Sequence, residues 1–184
     1  MTPIEVNYAC ETILLLLKKN MHQREIAKEL QTSLTRVQAV LKKLRDINAV
    51  DYKEEGKNHV YFIKKNLVSK SFILNAENYK FVRLLREYPV LEPILQEVIE
   101  KCPMKMILLF GSYAKFIPKN ESDIDIYLDT TEIKIKEKLK SINDSLSIHI
   151  RDFDKEDLLI REIIKNHIII RGGEEYYEKL EFFK

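Results

Sequence analysis

The feature that most constrains this 184-residue chain is a strand, a tight turn and a second strand packed between Ile107 and Leu128. Ile107-Leu108-Leu109-Phe110 is a short, unbroken apolar run stopped by Gly111, the pattern of a buried strand. Gly111-Ser112-Tyr113-Ala114-Lys115 then opens a short helix. Asp123-Ile124-Asp125-Ile126-Tyr127-Leu128 alternates strictly, as a strand with two different faces does. Gly111 permits close backbone approach, and Ser112 offers a hydroxyl and an amide at a helix N-terminus, which together read as an anion site for a triphosphate. Asp123 and Asp125 stand two apart on one strand, so their carboxylates share a face. Such a pair is the donor set with which Mg²⁺ (or Mn²⁺) bridges phosphate oxygens. Lys115 and Ser122 join Gly111 and Ser112 as candidate nucleotide-binding residues.

The rest of the C-terminal part continues the alternation. Ile133–Ile142 reads as a helix, Leu146–Ile150 as a strand and Lys155–Lys165 as a helix. His167–Ile170 reads as a strand stopped by Gly172-Gly173, and Glu174–Phe183 as a closing helix. This order predicts an α/β layer with a mixed sheet. Gly-Ser followed by Asp-x-Asp, twelve positions from Gly111 to Asp123, with Ala114 and Ser122 in place, resembles the minimal nucleotidyltransferases of the DNA polymerase beta superfamily.

The resemblance implies Mg²⁺-dependent transfer of a nucleotidyl group from a nucleoside triphosphate to a hydroxyl, with Asp123 and Asp125 holding the metal. It also implies a toxin-antitoxin setting in which the acceptor is a partner protein. Active members carry a third carboxylate on the neighbouring strand. Here that strand is Leu146-Ser147-Ile148-His149-Ile150-Arg151-Asp152, with Ser147, His149 and Arg151 on its polar face. His149 stands at the expected position, and Asp144 and Asp152 fall on the opposite parity unless a bulge intervenes. Three readings stay open: His149 acts as base or substitute ligand, an aspartate reaches in through a bulge, or the site binds Mg-nucleotide without transferring it. Lys115-Phe116 also replaces the family's usual Arg-Gly. His22, His59 and His167 share no ligand spacing and read as surface or packing residues.

The first third has a different character. Tyr8–Lys19 reads as a helix with Ile13, Leu14 and Leu17 in its apolar stripe, followed by a break at Asn20-Met21. Gln23–Leu30 is a second helix. Gln31-Thr32-Ser33 is a turn with Ser33 as N-cap, and Leu34–Asp46 is a third helix burying Val37, Val40, Leu41 and Leu44. Strands Ala49–Lys53 and His59–Ile63 flank a hairpin tip, Glu54 to Asn58, whose Gly56 and Asn58 suit positive φ. Two helices joined by a three-residue turn and followed by a hairpin resemble a winged helix-turn-helix. In such modules the second helix of the motif enters the major groove. By that resemblance Thr35, Arg36 and Gln38 lie nearest the bases and Lys42, Lys43 and Lys57 near phosphates, with Ser33 also among the DNA-binding residues.

Between these parts, Glu77–Glu87 and Leu91–Lys101 read as helices broken by Pro89, and Asn66–Asn75 shows only an apolar patch. The expected fold class is therefore α+β with two domains. A winged helix-turn-helix at 1–66 is followed by a helical connector at 67–102 and a nucleotidyltransferase-like domain at 103–184. Charge follows the same division: 12 Lys/Arg against 8 Asp/Glu in residues 1–66, 5 against 5 in 67–102, and 14 against 16 in 103–184. A basic front suits nucleic acid and a carboxylate-bearing back suits metal-nucleotide. No signal peptide and no membrane span are read, and two isolated cysteines, Cys10 and Cys102, suit reduced thiols in the cytoplasm. Two functions fit: a DNA-binding nucleotidyltransferase, or a transcriptional regulator whose degenerate transferase domain only binds nucleotide or a protein partner. A homodimer is expected under either.

Overall fold

The computed structural model describes residues 7–56 and 58–184; Lys57 lies outside them. Two compact units divide the chain. One runs to Tyr79 and includes Phe183 and Lys184, and the other is Lys80–Phe182.

The first unit begins with α1 (Tyr8–Lys18), whose N-cap Asn7 accepts the Cys10 N–H. The expected break after it is a two-residue strand, β1 (Met21–His22). Helix α2 (Gln23–Glu29) starts where the His22 N–H donates to Glu25. Helix α3 (Leu34–Asp46) has the expected bounds, and Ser33 Oγ accepts the Arg36 N–H at 3.2 Å. Strands β2 (Val50–Glu55) and β3 (Asn58–Ile63) pair antiparallel with β3 central, giving the order β1-β3-β2. The hairpin is tighter than its sequence suggests. Glu55 pairs with Asn58, so Asn58 starts the strand and Gly56 alone of the two takes positive φ, at +62°. Ile13, Leu16, Ile26, Val37, Leu41 and Leu44 are buried apolar positions of its first three helices, and Met21, Val50, Val60 and Tyr61 are buried on its strands.

Helix α4 (Leu67–Glu87) corrects the reading of the middle: it is one 21-residue helix starting ten residues before Glu77. Asn66 Oδ1 caps it by accepting the Ser69 N–H at 2.8 Å. Its buried positions Ser69, Ile73, Ala76, Glu77 and Leu84 follow helical spacing. Serine and glutamate in the buried stripe hide that period from a hydrophobicity pattern. The division between units falls within this helix.

The second unit continues with α5 (Leu91–Lys101) and strand β4 (Ile107–Phe110), followed by α6 (Gly111–Ala114). Strand β5 (Ile124–Asp129), helix α7 (Ile133–Lys140) and strand β6 (Leu146–Arg151) come next. Helix α8 (Leu158–Lys165), strand β7 (Ile168–Arg171) and helix α9 (Gly173–Lys179) complete it. The sheet order is β6-β5-β4-β7, with β5 and β6 parallel and the other pairs antiparallel, so the sheet is mixed. The parallel pair is joined through α7, the crossover such pairs require. Ile107, Leu109, Ile124, Ile126, Leu128 and Ile148 line one face against Leu95 and Val98 of α5 and Leu139 of α7. On the other face Tyr127 is fully buried, its hydroxyl donates to the Arg151 carbonyl at 3.0 Å, and burial raises its pKa above the ordinary tyrosine value.

Arg171 fixes the end of α5, donating to the carbonyls of Ile99, Cys102 and Met104. A guanidinium there satisfies carbonyls that a helix end leaves without partners. Cys10 and Cys102 are free thiols. Among the described residues no helix is long and apolar enough to cross a membrane.

Candidate active site

Strand β4 leads straight into the turn that carries Gly111. All four β4 residues are buried, and Phe110 pairs with Asp125 across the antiparallel ladder. Gly111 has φ +72°, and a Cβ there would lie 2.1 Å from Asp125 Oδ2. Only glycine lets the carboxylate lie over this backbone. Asp125 alternates with the core residues Ile124 and Ile126, which points it to the opposite face of the sheet, with a side chain 24% exposed. Asp123 sits just before the first residue of β5 and is exposed.

The neighbouring strand supplies the rest. The β5–β6 register runs unbroken from Ile124–Leu146 to Asp129–Arg151, so no bulge brings Asp144 or Asp152 inward. Ser147 pairs with Asp125 and His149 with Tyr127. His149 Nε2 lies 3.3 Å from Asp125 Oδ1 and 3.0 Å from Ser147 Oγ, and its ring meets Phe110 edge-on at 5.0 Å. One ring nitrogen serves both partners. Protonated, Nε2 donates to the carboxylate; bare, it accepts from the hydroxyl. Among the described residues no group of three or more His, Cys, Asp or Glu side chains is placed to hold a metal ion, so His149 does not complete a three-ligand centre with the two aspartates.

Ser112 is half-buried, and its carbonyl accepts the Ile117 N–H at 3.1 Å, which closes the turn after α6. The Lys115 ammonium pairs with Glu162 of α8 at 2.6 Å, and that hydrogen bond draws the Glu162 carboxyl below its ordinary range. Phe116, at the usual glycine position, takes φ +59° and lies under the Arg83 guanidinium at 4.2 Å. Ser122 Oγ accepts the Lys119 N–H at 2.8 Å while the Ser122 N–H donates back to the Lys119 carbonyl at 3.0 Å. Lys119 to Ser122 form an open surface depression directly before Asp123. Ser147 shares the parity of His149 and stands on the same face of β6.

Residues 92–176 match the family model described as polymerase beta, nucleotidyltransferase. The match takes in α5, all four strands of the mixed sheet and the stretch from Gly111 to Asp125, so this part of the chain is a nucleotidyltransferase-like domain. None of the curated proteins matches the chain. A solved crystal structure of a toxin-antitoxin with AMP-PNP is 23% identical, over 58% of this chain and 86% of that one, with a TM-score of 0.35.

In the first unit, Thr35, Arg36, Gln38, Lys42 and Lys43 are exposed along α3, and Ser33 is spent on its N-cap. Arg36 is partly committed: its guanidinium lies 4.9 Å from the Tyr8 ring centre and donates to the Tyr8 hydroxyl at 3.2 Å. Hydrogen bonds with Thr32 and Arg36 lower the Tyr8 pKa. Lys57 lies outside the described residues.

Proposed function

We propose that the second unit transfers a nucleotidyl group from a nucleoside triphosphate to a hydroxyl acceptor. The observation that carries this reading is the Asp125 carboxylate lying over Gly111 in a segment matched by the nucleotidyltransferase family model. Asp123 and Asp125 would hold Mg²⁺ (or Mn²⁺). Two carboxylates fit this ion, which keeps water and phosphate oxygens as its remaining ligands. When bound, the metal supplies charge neutralisation on the phosphates. Gly111, Ser112 and Ser122 line the phosphate side. Lys119 is a cation in the loop before Asp123, whereas Lys115 must leave Glu162 to take part. His149 receives the acceptor proton through Nε2, the role that falls elsewhere to a carboxylate. A partner protein is the acceptor class that the family resemblance suggests.

For the first unit the proposal is a winged helix-turn-helix that binds DNA, with the chain working as a homodimer. Support comes from the order helix, strand, two helices and hairpin, and from the exposed Thr35, Arg36, Gln38, Lys42 and Lys43. Arginine and glutamine on a groove-entering helix read guanine and adenine, and lysines contact phosphates. A second reading, in which the transferase domain only senses nucleotide, is favoured by one observation: histidine stands where a third carboxylate is expected. Incubation with Mg²⁺ and each α-labelled nucleoside triphosphate separates the two. Label that reaches protein or RNA, and disappears in the Asp123→Asn/Asp125→Asn variant, establishes transfer. Nucleotide binding without label establishes the sensor.

A further inference from the structure

Resting on the transferase reading, we propose that the protein carries its own acceptor: Ser147 is nucleotidylated by the site it borders. Two observations converge on this hydroxyl. Ser147 is the residue opposite Asp125 in the parallel ladder, so it sits one strand away from Asp125 and on the same face. Its Oγ is 3.0 Å from His149 Nε2, whose ring packs against the Phe110 edge. A weak nucleophile and a base within hydrogen-bond reach are parts an activated serine needs. Where relatives place a third carboxylate to serve a hydroxyl arriving from another molecule, this chain places a histidine already bonded to a hydroxyl of its own strand.

The step balances without a further reactant. Ser147 Oγ attacks the α-phosphorus of a nucleoside triphosphate and its proton passes to the bare Nε2 of His149. The Oγ–P bond forms, the bond from the α-phosphorus to the α–β bridging oxygen breaks, and pyrophosphate leaves. The product is a phosphodiester between Ser147 and the nucleoside. Because the attached group then fills the face beside Asp125, the modification stops at one per chain.

The test uses the full chain with Mg²⁺ and each of the four ribonucleoside triphosphates, followed by intact mass and peptide mapping, with nucleotide binding measured by calorimetry alongside. The expected result is a gain of one nucleoside monophosphate residue, never more than one per chain, on the peptide containing Ser147. It disappears in Ser147→Ala and is retained in Ser147→Thr, with both variants showing wild-type unfolding profiles. Wild-type protein that binds nucleotide and stays unmodified, or that carries the group on another residue, overturns the inference alone. Protein that binds no nucleotide overturns the inference and the transferase reading together.

Discussion

Replacing Gly111 with alanine places a methyl group where the Asp125 carboxylate now lies, 2.1 Å from Oδ2 in the undisturbed geometry. Two costs follow. The backbone sits at φ +72°, where an L-residue with a Cβ costs roughly 1–2 kcal/mol. The carboxylate must also turn out of its rotamer, at about 0.5–1.5 kcal/mol, and this separates it from His149. The sum is about 1.5–3.5 kcal/mol, which in a unit of about 100 residues lowers Tm by roughly 6 °C or more. Thermal unfolding of Gly111→Ala, Asp125→Ala and the double variant isolates the second cost. With the carboxylate gone only the backbone strain remains, so the alanine should cost about 1 kcal/mol less in the Asp125→Ala background. Equal costs in both backgrounds would refute the claim that the Asp125 carboxylate is what makes Gly111 necessary.

Two further outcomes are expected. Ser33→Ala removes the hydrogen bond that starts α3 and should cost about 1 kcal/mol in urea unfolding; an unchanged midpoint would show that the cap contributes nothing. The Lys115 hydrogen bond, opposed in part by burial, draws the Glu162 carboxyl below its ordinary value of 4.5. A carboxyl lowered on folding stabilises the fold above its unfolded pKa and loses that contribution as pH falls through the folded one. Wild-type protein should therefore lose stability more steeply than Lys115→Met as pH drops from about 4.5, a small difference because the pair is partly exposed. Parallel acid-unfolding curves would contradict this.

What the sequence discloses differs from place to place for physical reasons. Helix α3 is legible to its ends because Ser33 announces the cap and the apolar stripe has one clean period. Strand β1 is too short to produce a pattern, and its pairing with β3 depends on residues almost 40 positions away. The front of α4 is obscured because Ser69 and Glu77 occupy buried positions. Alternation on β6 suffices to place Ser147, His149 and Arg151 on one face, yet only the register excludes a bulge and sets Ser147 opposite Asp125. The engagement of Lys115 by Glu162 joins residues 47 positions apart, one in the turn after α6 and the other on α8, which no local pattern contains.

The most direct measurement is calorimetric titration of the full chain with a nucleoside triphosphate, with and without Mg²⁺, in wild type and in Asp123→Asn/Asp125→Asn. One nucleotide bound per chain is expected, with binding weakened at least tenfold, about 1.4 kcal/mol, by removing the metal or the two carboxylates. Binding indifferent to both, or no binding at all, would contradict a metal-nucleotide site at Gly111–Asp125.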